Sequence, residues 1–213
     1  MTLHPPARRS LAAAALVLFT AAPALAGPPL VCFPFDIGSS TSLPWNGSNG
    51  WEGSRADYDV ARLTGDTIAL LTPTTPVIVR METLRRAAIY ATRDSAVART
   101  LLDTMLARVK TASRGGSTAE AALAKFDAGY LIETYRQTAY KTPANGDMVA
   151  SLDGYAMVRE ALEARQDDPA MEFAAAIITM GPRKPDYPAH AKQARAGISA
   201  DALLARNIDH LPQ

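Results

Sequence analysis

The chain is expected to be all-α: antiparallel helical hairpins, arranged as an irregular bundle or as a tetratricopeptide-like array without the tetratricopeptide signature, preceded by an extended N-terminal arm. Three observations lead there. Thr75–Gln137 reads as three consecutive amphipathic helices separated by two short breaks, and breaks that short make neighbours antiparallel. Pro169–Met180 is apolar around most of its circumference, as a central helix would be. Pro28-Pro29 and Pro34 forbid a continuous helix in the arm, and there Phe33, Phe35 and Ile37 alternate with Pro34 and Asp36, as an extended segment laid on a core would.

The first helix of the block is expected to be capped by Thr75, with Pro76 at its first position, where the missing N–H costs nothing. Val77, Met81, Leu84 and Ala88 follow at helical spacing. Asp94 is expected to cap the second helix, striped with Val97, Leu101, Met105 and Val109. Arg114-Gly115-Gly116 ends it, since glycine accepts the left-handed conformation that helix ends often use. Ser117-Thr118-Ala119-Glu120 is a capping box opening the third helix, in which serine and glutamate each satisfy a free N–H. Leu123, Phe126, Tyr130 and Tyr135 supply its apolar side.

Ahead of this block, Ser54-Arg55-Ala56-Asp57 reads as a helix start, running to Thr64 and stopped by Gly65. Asp66 then caps a short second turn, Thr67–Leu71. Behind it, Lys141–Gly146 reads as a loop and Asp147 as the cap of a fourth helix, Met148–Gln166. Its stripe is Met148, Leu152, Tyr155, Val158 and Leu162. Asp168-Pro169 repeats the cap-then-proline device for a fifth. A short helix follows over Ala189–Ala196, then a last one, Ala200–Asn207, capped by Ser199. The tail His210–Gln213 is expected to fray. The start signals are unevenly spaced. A tetratricopeptide register on Phe126 keeps Ala122 and Gly129 but fails at Val109-Lys110 and Ser113.

Residues 1–26 have the layout of a secretory signal peptide: Arg8-Arg9, the apolar run Leu11–Ala22, and a small-x-small site at Ala24-Leu25-Ala26. Arg8-Arg9-Ser10-Leu11 also fits a twin-arginine leader. The expected organisation is therefore a leader (1–26), a Pro/Gly/Trp-rich arm (27–53) and one helical domain (54–213), with a periplasmic or secreted location. Removing 26 of the 213 residues leaves 187, and Lys+Arg falls from 22 to 20 against 21 Asp+Glu. A net charge near −1 argues against nucleic acid as partner. No second apolar run reaches membrane length.

Chemistry-bearing motifs are scarce. His190 and His210 are the histidines outside the leader, and neither sits in a context that argues for a serine–histidine–acid triad. There is no Cys-x-x-Cys, His-Glu-x-x-His, Gly-x-Ser-x-Gly or Walker spacing, so no metal or cofactor is expected and no catalytic residue is nominated. Gly115–Thr118 is explained by the capping box without invoking an anion nest. Asp57 with Asp59 and Asp167 with Asp168 are too close along the chain to face one another on a helix.

The candidate ligand-binding residues are Trp45 and Trp51 on the turn-rich loop, whose rings suit a sugar or peptide, together with Tyr130, Glu133 and Arg136. Glu133 sits among apolar neighbours, as either a general acid or an arginine partner. Cys32 is the single cysteine; it packs as a small apolar side chain or serves as a free or intermolecular thiol. These features predict an exported, non-enzymatic binding or scaffold protein of the bacterial envelope whose partner is another envelope protein or a peptide. The alternative is an exported hydrolase acting on sugar or peptide with helix-borne carboxylates.

Overall fold

The computed structural model describes residues 1, 27–47, 50–166, 168–180 and 185–212. The expected leader with its cleavage site, Ser48 of the Asn46-Gly47-Ser48 sequon, Asn49, Asp167 and the Gly181–Lys184 link lie outside them. The described residues form ten α-helices: α1 (Pro29–Cys32), α2 (Leu63–Leu70), α3 (Val77–Ala91), α4 (Ser95–Gly115), α5 (Thr118–Thr138), α6 (Pro143–Val149), α7 (Gly154–Ala164), α8 (Pro169–Thr179), α9 (Tyr187–Ala196) and α10 (Ala202–Asn207). The all-α expectation holds, and an isolated bridge between Trp45 and Ser54 is the sole β pairing among the described residues.

Helix starts follow a simple chemistry. Asp94, Asp153, Asp168 and Asp201 each accept backbone N–H groups at the start of α4, α7, α8 and α10, and Asp59 does so for a 3-10 turn over Val60–Arg62. Ser117 and Glu120 close the expected capping box of α5. Several expected starts move. Ser54 caps nothing, because the next helical residues wait for Asp59, and Gly65 and Asp66 lie inside α2 instead of stopping and restarting it. Lys141–Gly146 is not a loop: Pro143 opens α6, which runs through Asn145-Gly146-Asp147, and the true break precedes Asp153. Thr75 does not cap α3; its hydroxyl donates to Leu70 O at 2.7 Å and closes the preceding turn. Asp201 replaces Ser199 as the last cap.

Gly116 ends α4 at φ −81°, not in the left-handed region. Its absent side chain matters for space: a Cβ there would lie 2.9 Å from Ala112 O. The tail is also held. Leu211 is buried, Tyr187 Oη donates to Pro212 O at 2.8 Å, and Arg195 Nη2 donates to Leu211 O at 2.8 Å.

α5 is the hub, packed against α1, α3, α4, α6, α7 and α8. It runs antiparallel to α4, since Tyr135 Oη near its C-terminus donates to Ala98 O near the start of α4. It also runs antiparallel to α7, with Lys125–Glu160 (2.7 Å) at one end and the Tyr155 N–H donating to Glu133 (3.1 Å) at the other. Gly129 and Gly154 let α5 and α7 approach closely; a Cβ on either would fall 2.5 Å from the other's carbonyl oxygen. Every residue of α8 from Ala170 to Thr179 is buried, as its uniform apolarity predicts. The arm lies on this assembly through Leu30, Val31, Phe35, Ile37 and Leu43, after the one turn of α1 that Pro29 opens. Among the described residues no helix is long and apolar enough to cross a membrane.

Candidate functional site

The apolar faces of α3 and α5 carry charges that burial makes conspicuous. Glu82, on α3, is completely buried and accepts from Arg85 Nε (2.7 Å), Arg85 Nη2 (2.9 Å), Arg86 Nε (2.7 Å) and the backbone N–H of Phe35 (3.0 Å). The two arginines reach on to the arm: Arg85 Nη1 donates to Val31 O at 3.0 Å and Arg86 Nη1 to Leu43 O at 2.6 Å. This cluster ties the arm to α3. A carboxylate so fully hydrogen-bonded to cations is compatible with burial, and its charges face each other, not solvent.

The two tryptophans turn to different neighbours. Trp45 lies beneath Arg85 and Arg86 (4.9 and 5.6 Å to the ring centroid) and meets Tyr90 edge to face at 5.8 Å. Trp51 meets Tyr140 edge to face at 5.9 Å, with Lys141 Nζ 4.3 Å from its ring centroid. They do not combine into one stacking platform. Tyr130 is fully buried and stacked on Phe126, so it presents no surface to a ligand. Glu133 is nearly buried, paired with Arg136, and accepts the Tyr155 backbone N–H. Arg136 Nη2 donates in turn to Leu152 O (2.6 Å) and Val149 O (3.2 Å). The structure thus brings Glu133 and Arg136 together, but to close the α6–α7 break. Cys32 is a free thiol, half-buried at the end of α1.

Two constellations escaped the sequence. The first joins α7, α8 and α9. Glu172 Oε2 lies 2.5 Å from His190 Nδ1, His190 Nε2 lies 2.7 Å from Tyr155 Oη, and Tyr155 Oη donates to Asp186 Oδ2 at 2.9 Å. Burial, and then the Asp186 carboxylate beside it, push the Tyr155 phenol up. Neither of the two cavities described below opens on this chain of groups.

The second constellation borders a cleft of about 690 Å³ between the Leu71–Pro73 link, α4 and α5. Its walls are Leu71, Pro73, Ala107, Ala112, Leu123 and Ala124, with Gly115, Gly116 and Glu120 at the hairpin end. Arg80 and Arg108 stand at the other end. Arg80, nearly buried, donates to Asp127 Oδ2 at 2.7 Å, to Thr75 O at 3.0 Å and to Thr72 O. Arg108 Nη2 donates to Leu71 O at 3.0 Å, and its Nη1 stays 3.8 Å from Asp127 Oδ2. Asp127 is fully buried and its Oδ1 has no hydrogen-bond partner among the described residues. Burial pushes its carboxyl up to about 6, against the pull of Arg80 and Arg108. A signal was present in the sequence: Arg80 and Asp127 interrupt apolar helix faces, beside Val79 and Met81 and beside Phe126 and Ala128. Nothing local pairs residues 47 positions apart.

A smaller cavity of about 240 Å³ is lined by Pro44, Tyr58, Asp59, Arg62 and the Arg55–Asp57 ion pair. Among the described residues no group of three or more His, Cys, Asp or Glu could hold a metal ion. No protein-family model, no curated protein and no solved structure matches this chain.

Proposed function

We propose that the chain is an exported, non-enzymatic helical binding protein of the bacterial cell envelope, and that the α4–α5 cleft receives its ligand. The observation that carries this reading is the cleft itself. It falls within the volume range of small-molecule sites, is walled mostly by small and apolar side chains, and has convergent charged groups at one end. The export half rests on the charged, apolar and small-residue order of residues 8–26. Binding fits the rest of the molecule, where the buried carboxylates Glu82, Asp127 and Glu133 are each held by arginines instead of facing a reactive centre.

The test is native mass spectrometry of the chain without its leader after incubation with envelope extract, beside Ala107→Trp. Ala107 is exposed at the cleft wall, so a tryptophan there fills the cleft without entering the core. An adduct on the wild type that the variant loses is the expected result. No adduct, together with turnover of a glycoside or peptide panel, overturns the reading.

A hydrolase reading has one observation behind it, the Glu172–His190–Tyr155 chain, which aligns an acid, an imidazole and a phenol as general acid–base catalysis requires. It predicts turnover that His190→Ala abolishes while the fold is kept. A wild type inert to ester, glycoside and peptide panels sinks it.

A further inference from the structure

We infer that the cleft takes an amphipathic carboxylate, free in solution as a single molecule: its acid group at Arg108 and its unbranched apolar chain lying between α4 and α5. This rests on the cleft being the binding site. The first argument is charge. Two guanidinium groups, Arg80 and Arg108, share one carboxylate, Asp127, so the inner end of the cleft carries an excess positive charge. Arg80 is 1 % exposed and its donors go to Asp127, Thr75 O and Thr72 O. Arg108 differs. Its side chain is 32 % exposed, and at 3.8 Å its Nη1 is beyond hydrogen-bond distance of Asp127. Its bonds go to neutral acceptors, Leu71 O at 3.0 Å from Nη2 and the weakly accepting Met105 sulfur at 3.9 Å from Nη1, and leave its other N–H groups open. A planar, permanently charged fork with unsatisfied N–H groups beside an apolar wall suits a carboxylate, which it can engage with two parallel hydrogen bonds.

The second argument is the opposite end. Gly115 lies seven residues beyond Arg108 on α4, about 10 Å along the helix axis, and Glu120 stands beside it with its carboxylate turned to Ser117. Hydrogen bonds from Ser117 hold that carboxyl below its ordinary range, so it stays anionic. It repels a second acid, so the site selects one acid head over a diacid. The third argument concerns the walls. Along their middle turns α4 and α5 present no free N–H or C=O, and of the two threonines on the walls Thr104 spends its hydroxyl on Thr100 O, leaving Thr111 the one other side-chain hydroxyl there. An extended peptide here would leave its own amide groups unpaired, at a cost that a hydrocarbon chain does not incur. Ala107, Ala112 and Ala124 leave room for such a chain to lie close.

The experiment is a titration of the isotope-labelled chain followed by NMR, using decanoate, decan-1-ol, decyltrimethylammonium and a neutral capped peptide. The expected result is that decanoate shifts Leu123 and Ala124 resonances at a Kd at least tenfold below that of decanol. Arg108→Gln removes that difference, Arg108→Lys keeps part of it, and Ala107→Trp blocks both ligands. Equal affinity for decanol, or an unchanged preference in Arg108→Gln, overturns the acid-head inference while leaving the cleft as a binding site. Tighter binding of the peptide overturns it in favour of a protein partner. If no probe perturbs the cleft resonances, the binding reading fails with it.

Discussion

The contact between α5 and α7 makes a sharp demand on one residue. Glycine inside a helix ordinarily weakens it, and replacement by alanine stabilises by about 0.5–1 kcal/mol. Gly129 sits mid-helix in α5, yet a Cβ there would lie 2.5 Å from the Gly154 carbonyl oxygen, 2.9 Å from Met157 Cβ and 3.1 Å from a Val158 methyl. The nearest of these is backbone at the start of α7, so it cannot swing away; the helices must separate. Overpacking of this kind costs about 1–3 kcal/mol, with the upper end apt for a backbone neighbour. Subtracting the propensity gain, Gly129→Ala should lose about 2 kcal/mol, which lowers Tm by about 4–8 °C for a chain of this size. Gly65, inside α2, has nothing within 4 Å of its would-be Cβ. Gly65→Ala should therefore gain about 0.5–1 kcal/mol. The same substitution has opposite signs at two helical positions. Urea denaturation of both variants, with the m-value checked for constancy, reads the difference. A Gly129→Ala protein as stable as the wild type would refute the close-packing argument.

Other outcomes can be measured alongside. Asp127 has its carboxyl pushed up to about 6 from an ordinary 3.8, so the folded state holds this proton more tightly than the unfolded state. The stability it contributes is therefore present below about pH 4 and lost as pH rises to about 6, a fall of about 3 kcal/mol; subtracting the pH–stability curve of Asp127→Asn from the wild type should isolate that fall, and parallel curves contradict it. Glu82→Gln removes the counter-charge of Arg85, which is fully buried, and should cost about 3–5 kcal/mol; a loss under about 1 kcal/mol by thermal unfolding would show the cluster to be dispensable. Asp94→Ala and Asp168→Ala should each lose about 1 kcal/mol as true caps. Asp147→Ala, inside α6 with no capping bond, should stay within about 0.5 kcal/mol by the same denaturation assay.

The caps show why some of the fold was legible and some was not. Asp94, Ser117 and Asp168 were readable because each is followed directly by a run at helical spacing, and a cap bond spans two or three residues. Ser54, Asp147 and Ser199 had the right residue type, but no helix begins directly after them. Asp59, Asp153 and Asp201, a few residues further on, accept the N–H groups of the segments that do begin there. Choosing between two plausible caps depends on where the following helix must start to meet its neighbours, which local chemistry does not encode. The same holds for the candidate site. Glu133 and Arg136 are three apart on one helix, so their pairing was readable. Their common task, closing the chain between Val149 and Leu152 and holding the Tyr155 N–H, was not.

The sequence by itself determined the class of the molecule: that it is all-α, that α3, α4, α5 and α8 are helices, and that α8 is buried. These follow from periodicity and from the intrinsic preferences of proline, glycine and capping residues, all of which act over a few positions. The tertiary structure alone decided that α5 packs most extensively, on α7, α4 and α3, and that Gly129 and Gly154 set its distance from α7. It alone brought Arg80 and Arg108 around Asp127 beside a cleft, and Glu172, His190 and Tyr155 into one chain. Each of these depends on side chains from separate helices meeting within hydrogen-bond or van der Waals range, and that proximity is created only when the helices pack.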